Sequence, residues 1–376
     1  VSTTGGRPEN GRPPLRFRLK RSIEVFPTPD GAIQFGHDGF GRYFRVESPD
    51  ESDTALLDLL GAGFATAPEL EDGVRSRGLD PSGVVPSLGE LRKIGLIETS
   101  RGLPLLAPQR AERFDRQLIY LADLSETEEA EALQLRLARS RVVVLGCGGL
   151  GSWTACGLAC AGVGEIVLVD HDTIELSNLN RQILFSEGDL GRPKTTVAAA
   201  ALKAIDSELR VETHRRRVDS APEITELIGG ADLLVGTADW APHLLPRWIN
   251  EASLETGVPY ITAGQFPPLI RIGPMVLPGR SSCLGCQELE AESEYPLYGE
   301  LAGYRSRNPS TASTLGAASG MIGSMLAMEA LHQLTGAAAP ASINRALIMD
   351  LRSMTTEPEE VLPHPDCVCG AAARAA

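Results

Sequence analysis

Between Val142 and Lys194, glycines, a carboxylate, amides and cations occur in an order that suits phosphate chemistry. Gly146, Gly148, Gly149 and Gly151 follow the β-branched run Arg141–Leu145, and a glycine turn between strand and helix presents backbone N–H groups to phosphate. A second apolar run, Ile166–Val169, ends at Asp170, where a carboxylate can accept hydrogen bonds from ribose hydroxyls. Asn178, Asn180, Arg181 and Gln182 come next, and Lys194 follows the turn residues Gly191 and Pro193. A nicotinamide site has little use for these cations. Expelling pyrophosphate from ATP builds negative charge that Arg, Lys and a divalent metal such as Mg²⁺ stabilise. The metal needs an acidic ligand, and a third apolar run, Leu233–Gly236, leads to Asp239 where strand ends in doubly wound sheets carry chemistry. Plainer roles compete: surface charges for Arg181 and Lys194, and a helix N-cap for Asp239.

Strands alternating with helices from Arg141 to about Gly264 predict an α/β fold, a Rossmann-like doubly wound and mainly parallel sheet covered on both faces. Ile270–Leu277 is expected to be antiparallel. No internal repeat is present.

These residues resemble the ubiquitin-activating-enzyme-like superfamily of adenylating enzymes, the ThiF–MoeB group. The resemblance runs from Arg113-Phe114-Asp115-Arg116-Gln117 through GCGGLG, VDHDTIELSNLNRQ, GRPK and GTAD to the late helix Gly320–Gly336. It implies Asp170 on the ribose, Arg181 and Lys194 on the phosphates, and Asp239 on Mg²⁺. It also implies Arg116 as an arginine finger reaching the neighbouring subunit of a homodimer. Pairing of Arg116 with Glu112 or Asp115 is the competing role.

Of seven cysteines, Cys147 lies in the glycine turn, and Cys156 and Cys160 are expected as small buried fillers. Cys283, Cys286, Cys367 and Cys369 form two pairs that suit a structural tetrahedral Zn²⁺ site, although the second pair has one intervening residue instead of two. No cysteine lies between Gln287 and Met321, where the superfamily's crossover loop is expected. An internal thiol acceptor for an acyl group is therefore not expected. Arg305 and Arg307 in that loop are candidates for a substrate carboxylate or phosphate.

The segment 21–101 is expected to be a separate winged-helix module, α+β. Arg21–Phe26, Ala32–Gly36 and Arg42–Glu47 read as strands, with turns at Pro29-Asp30-Gly31 and Gly39–Gly41. Three helices follow: one capped by Ser52 or Asp53, one with a capping box from Thr66, and Ser87–Ile94. The layout resembles the precursor-peptide recognition element of ribosomal-peptide biosynthesis, similar to the pyrroloquinoline-quinone (PqqD-like) peptide chaperone. That resemblance implies a leader peptide bound as an added strand at the edge Tyr43–Val46. A stabilising or dimer-forming appendage is the alternative. Residues 1–20 are expected as a solvated arm, 102–112 as a linker, 113–371 as the adenylation domain with its zinc knuckle, and 372–376 as a tail.

A net charge of −14 argues against a nucleic-acid surface. No apolar run reaches the roughly 20 residues of a membrane span, and nothing at the start reads as a positively charged region followed by an apolar one and a cleavage site, so a cytoplasmic location is expected. The expected reaction is adenylation of a carboxylate on a leader-bound ribosomal precursor peptide, in the manner of the microcin-type adenylating enzymes. Two rivals stand beside it: a non-catalytic partner of an azole-forming cyclodehydratase, and adenylation of the C-terminal glycine of a ubiquitin-like sulfur carrier.

Overall fold

The computed structural model describes residues 13–37, 43–102, 104–125, 128–308 and 313–371. Most of the expected arm, the turn Gly39–Gly41 and the tail 372–376 lie outside the described residues. The chain divides into two compact units, Val1–Leu135 and Arg136–Ala376.

In the smaller unit, β1 (Arg16–Leu19) opens the fold, followed by β2 (Ile23–Pro27), β3 (Ile33–His37) and β4 (Tyr43–Val46). Helix α1 (Glu51–Ala62), the two-residue β5 (Ala65–Thr66), α2 (Ala67–Ser76), α3 (Val84–Lys93) and β6 (Ile97–Ser100) complete the module. β2, β3 and β4 form an antiparallel sheet in that order, so β4 is an edge. All four β4 residues are exposed, Tyr43 by 57%. The expected α1 cap moves to Asp50, which forms a capping box with Asp53, while Thr66 caps α2 with Glu69 as expected. Buried Phe35, Leu56, Leu60, Leu70, Val74 and Leu88 form the core.

One expectation needs correction. Arg16–Leu19 fall within the expected solvated arm, but β1 is the centre of a second antiparallel sheet of order β5-β1-β6. The arginines that suggested solvation are occupied: Arg18 forms an ion pair with Glu98 at 2.7 Å, and Arg16 donates to the Phe64 carbonyl at 2.9 Å. Leu19 then enters the core. Helices α4 (Pro108–Arg113), α5 (Asp115–Leu124) and α6 (Ala130–Arg139) follow. The unit boundary falls inside α6, whereas the motifs put the second domain's start at residue 113.

The larger unit alternates strand and helix: β7 (Arg141–Leu145), α7 (Gly149–Cys160), β8 (Glu165–Val169), α8 (Lys194–Ile205), β9 (Arg210–His214), α9 (Ala221–Ile228), β10 (Leu233–Gly236) and α10 (Leu245–Thr256). Then come β11 (Tyr260–Phe266), β12 (Leu269–Val276), α11 (Leu284–Glu294), α12 (Tyr298–Arg307), α13 (Gly316–Thr335), β13 (Arg345–Asp350) and β14 (Thr355–Glu360). Eight strands form one sheet of order β14-β13-β12-β11-β10-β7-β8-β9. From β11 to β9 the pairs are parallel; β12 turns antiparallel, as expected, and β13 and β14 extend that wing.

Burial on both faces explains why β7 and β8 are apolar after their first residue, with successive residues entering opposite cores. Val142, Val144, Ile166 and Leu168 enter one core, and Val143, Leu145, Val167 and Val169 enter the other. From β7 the order runs through β8 to β9 on one side and through β10 to β11 on the other. The sheet's switch point, where such folds open a crevice, therefore lies beyond the ends of β7 and β10.

Candidate active site

The loops leaving β7 and β10 touch at that switch point. Gly146 has φ +101°, and a Cβ there would lie 2.6 Å from the Ala238 nitrogen. Thr237 locks the contact by donating its hydroxyl to the Leu145 and Gly146 carbonyls, at 3.1 and 2.8 Å. A Cβ on Gly151 would fall 1.8 Å from the Gly146 carbonyl oxygen, so that glycine serves close packing of α7. Gly148 is the N-cap of α7 and supplies no capping side chain, which leaves the helix's first N–H groups for a ligand.

A cleft of about 450 Å³ opens over this turn. It brings together Gly146, Gly148, Gly149, Asp170, Asn178, Arg181, Gln182, Lys194 and Asp239, all singled out by the sequence. Gly151 and Asn180 are not in its lining, and Arg116 is an exposed residue of α5 in the smaller unit.

The Asp170 carboxylate accepts from the Cys147 N–H at 2.7 Å through one oxygen and from the Asp172 N–H at 2.8 Å through the other. Each oxygen keeps a second lone pair, so a ribose diol can still be bound. Lys194 opens α8 and is only 5% exposed; its ammonium donates to Asp172 Oδ2 at 2.8 Å. Burial with a carboxylate partner rules out an ordinary surface lysine, and two donors remain for a phosphate. Arg181 donates to the Ser177 carbonyl at 2.7 Å and to Asn180 Oδ1 at 2.9 Å. Asn178 Oδ1 accepts the Glu175 N–H at 3.0 Å. The two asparagines thus shape the basic turn.

Asp239 is exposed in the loop after β10, and among the described residues its carboxylate has no hydrogen-bond or ion-pair partner. It does not cap the following helix, whose N-cap is Leu244. An unengaged carboxylate beside a phosphate cradle fits a hard cation such as Mg²⁺. Asp115, one of the two suggested partners of Arg116, is bonded to Arg21.

Other lining residues went unrecognised in the sequence. Asp172 holds Lys194, while Arg216 and Arg217 follow β9, and the Arg217 guanidinium stacks 4.3 Å from the Trp240 ring. β9 reads RVETH and is mostly exposed, so its single apolar residue gave no strand signal. Had it been recognised, the arginines beyond its end would have been candidates. Burial, then Arg305 and Arg247, hold the His243 imidazole below its usual range. Burial pushes the Cys147 thiol well above the normal range, with Asp170 adding to the effect, and pushes Cys156 up to about 11. Neither is a ready nucleophile. Cys160, expected as a filler, is exposed.

Away from the cleft, the four remaining thiols converge, with all their sulfurs within 4.8 Å of one another. Cys283 lies 3.9 Å from Cys286 and 3.6 Å from Cys367, and Cys286 lies 3.6 Å from Cys369. Zinc–sulfur bonds of about 2.3 Å at tetrahedral angles put sulfurs about 3.8 Å apart, so the cluster fits that ion despite the shortened second pair.

The ThiF family model matches residues 114–371. The SAMP-activating enzyme E1 of Haloferax volcanii is 35% identical over 246 residues, covering 63% of this chain and 83% of that protein. The molybdopterin-synthase adenylyltransferase of Escherichia coli K12 is 30% identical over 266 residues, covering 70% and 98%. Among solved structures, E. coli MccB with ATP has a TM-score of 0.75 at 23% identity, covering 94% of this chain and 99% of that one. The microcin C7 biosynthetic enzyme MccB in complex with N-formylated MccA has a TM-score of 0.75 at 22% identity, with the same coverage. At these identities the structural likeness is one of fold, and it extends over nearly the whole chain.

Proposed function

The chain belongs to the ThiF family, and on that premise we propose that it uses ATP to adenylate a carboxylate on a ribosomally made precursor peptide, releasing pyrophosphate. The observation that carries this reading is the gathering of Asp170, Arg181, Lys194 and Asp239 over one glycine cradle. The free lone pairs of Asp170 bind the ribose and set the α-phosphate near the start of α7. A carboxylate oxygen then bonds to the α-phosphorus as the bond to the bridging oxygen of pyrophosphate breaks. Arg181 and Lys194 stabilise the charge that moves onto the departing group. Mg²⁺ on Asp239 supplies further charge neutralisation when bound. In a homodimer, exposed Arg116 of one protomer reaches the phosphates of the other.

The peptide substrate class rests on the N-terminal module. The MccB structures with MccA share its fold across 94% of this chain, and β4 offers an exposed edge to which a leader can add as a strand. We assign Cys283, Cys286, Cys367 and Cys369 to a structural zinc that ties the chain's end to the start of α11; four thiolates leave no open coordination position. Among the described residues no helix is long and apolar enough to cross a membrane.

A second reading, adenylation of a sulfur carrier, draws on the identities to the SAMP-activating and molybdopterin-synthase enzymes. ATP–pyrophosphate exchange separates the two. Exchange stimulated by a precursor peptide, and lost when its leader is removed, supports the peptide reading; stimulation only by a ubiquitin-fold carrier overturns it. No exchange with either, despite ATP binding, leaves the non-catalytic partner.

A further inference from the structure

The late helix α13 brings a hydroxyl to the glycine cradle that the motifs do not account for. Ser319, its fourth residue, is 1% exposed and lines the cleft, yet among the described residues its Oγ has no hydrogen-bond partner. Helical Ser and Thr side chains ordinarily turn back to the carbonyl four residues earlier. Thr154, Thr256 and Thr335 all do so here, at 2.6–2.9 Å. Among the described residues, the corresponding carbonyl for Ser319, that of Leu315, accepts only the Ser319 backbone N–H. The hydroxyl is turned elsewhere.

Its surroundings indicate where. Ser319 Oγ lies 3.0 Å from the point a Cβ on Gly149 would occupy, and the Cγ and Cδ atoms of Arg181 lie 3.4 Å from that same point. Gln182, 3% exposed with its amide oxygen also unpaired, places Nε2 3.9 Å from the equivalent point on Gly148. Three polar side chains thus surround the start of α7, whose N–H groups have no capping side chain. Close packing sets this geometry. A Cβ on Gly316 would fall 2.4 Å from the Asn180 carbonyl oxygen, and one on Gly323 would fall 2.4 Å from Trp153 Cβ. α13 is therefore seated directly on both α7 and the basic turn.

We infer that Ser319 is a phosphate-binding residue of this cleft, its hydroxyl donating to a nucleotide phosphate seated at the N-terminus of α7. The inference rests on the ATP reading and deepens it. A buried hydroxyl without a partner is destabilising, and a phosphate oxygen removes that deficit while gaining a charge-assisted bond.

Calorimetric titration of the full chain with Mg·ATP and with adenosine tests this. Ser319→Ala is expected to raise the Kd for Mg·ATP by roughly tenfold, the usual loss for a hydrogen bond to a charged group. Adenosine affinity is expected to stay unchanged, and the unliganded melting temperature to stay level or rise because an unpaired buried group is gone. Ser319→Cys, close in size and a weak donor, is expected to show a smaller loss of the same kind and covers a failure of the alanine variant to fold. Wild-type Mg·ATP affinity in either soluble variant, or equal weakening of adenosine, overturns the assignment. Wild-type protein that binds adenosine and ATP equally well removes the phosphate role while leaving a nucleoside site; protein that binds neither removes the ATP reading itself, and the inference with it.

Discussion

A methyl group added at Gly151 would land 1.8 Å from a carbonyl oxygen, whereas on β4 all four residues face solvent. The phosphate cradle and the outer strand of the N-terminal module stand at opposite ends of constraint. In the cradle, backbone meets backbone, and each polar group is either held by a neighbour or left open toward the cleft. On β4, recognition would depend on main-chain groups that any sequence supplies and on side chains with room to vary. Under the proposed function, chemistry would be concentrated in a few irreplaceable residues, and recognition would be spread over many replaceable ones.

The largest effect is expected at Asp239. Because its carboxylate is exposed and unengaged among the described residues, Asp239→Ala should leave the melting temperature unchanged. Loss of the metal ligand should reduce peptide-dependent ATP–pyrophosphate exchange by roughly 10²–10³-fold or more, the range seen when one preorganised electrostatic contact is removed. A fully active variant takes Asp239 out of the site.

Gly151→Ala sharpens the comparison on the stability side. Backbone must move to admit the methyl, and overpacking of this severity costs about 1–3 kcal/mol or more. Gly89→Ala on α3 is its counterpart in the module, where the added Cβ meets nothing within 4 Å. That change should instead stabilise by about 0.5–1 kcal/mol through helix propensity. Denaturant midpoints moving in opposite directions support the contrast; equal midpoints break it.

These sites differ in how far sequence alone exposes them. The glycine turn, Asp170, Arg181, Lys194 and Asp239 lie next to apolar strands in a recurring order, so local pattern was enough to gather them. The four cysteines were legible for a similar reason, since their spacing restricts the chemistry open to them. Asp172, Trp240 and Ser319 were not, because each is brought to the cleft beside a neighbour distant in sequence: Lys194, Arg217 and Gly149. β1 was hidden for the opposite reason. Its arginines look solvated until Glu98 and the Phe64 carbonyl are brought beside them.

The cysteine cluster belongs with the cradle in this contrast, three of its four thiols buried and Cys369 half-buried. One zinc per chain is expected on metal analysis of purified protein, and Cys286→Ser should abolish it and lower the melting temperature. Removing zinc should leave the nucleotide Kd of the still-folded protein unchanged, because none of the four cysteines lines the cleft. Less than about half a zinc per chain, the content at which most chains lack a tetrahedral thiolate ion, counts against the site. A nucleotide Kd that follows zinc content joins the two regions.

A far smaller effect than at Asp239 is expected on β4, where it is also the most discriminating. Along an edge strand, successive N–H groups point alternately toward the paired neighbour and toward open solvent. β4 pairs with β3 through Phe35↔Phe44 and Gln34↔Arg45, so of the adjacent residues Phe44 and Arg45 one donates inward and the other outward. Phe44→Pro and Arg45→Pro therefore separate stability from recognition. The proline that removes the inward N–H should lower the melting temperature. The other should be tolerated, as proline is on a solvent-facing edge, while weakening leader-peptide binding by about tenfold, roughly one main-chain hydrogen bond. The affinity for Mg·ATP should be unaffected in that variant. If both prolines leave leader affinity at the wild-type value, β4 is not the docking strand, and the module is better understood as a stabilising appendage. If only the outward-facing proline weakens it, the main-chain edge itself carries recognition, and exposed Tyr43 and Phe44 select among leaders.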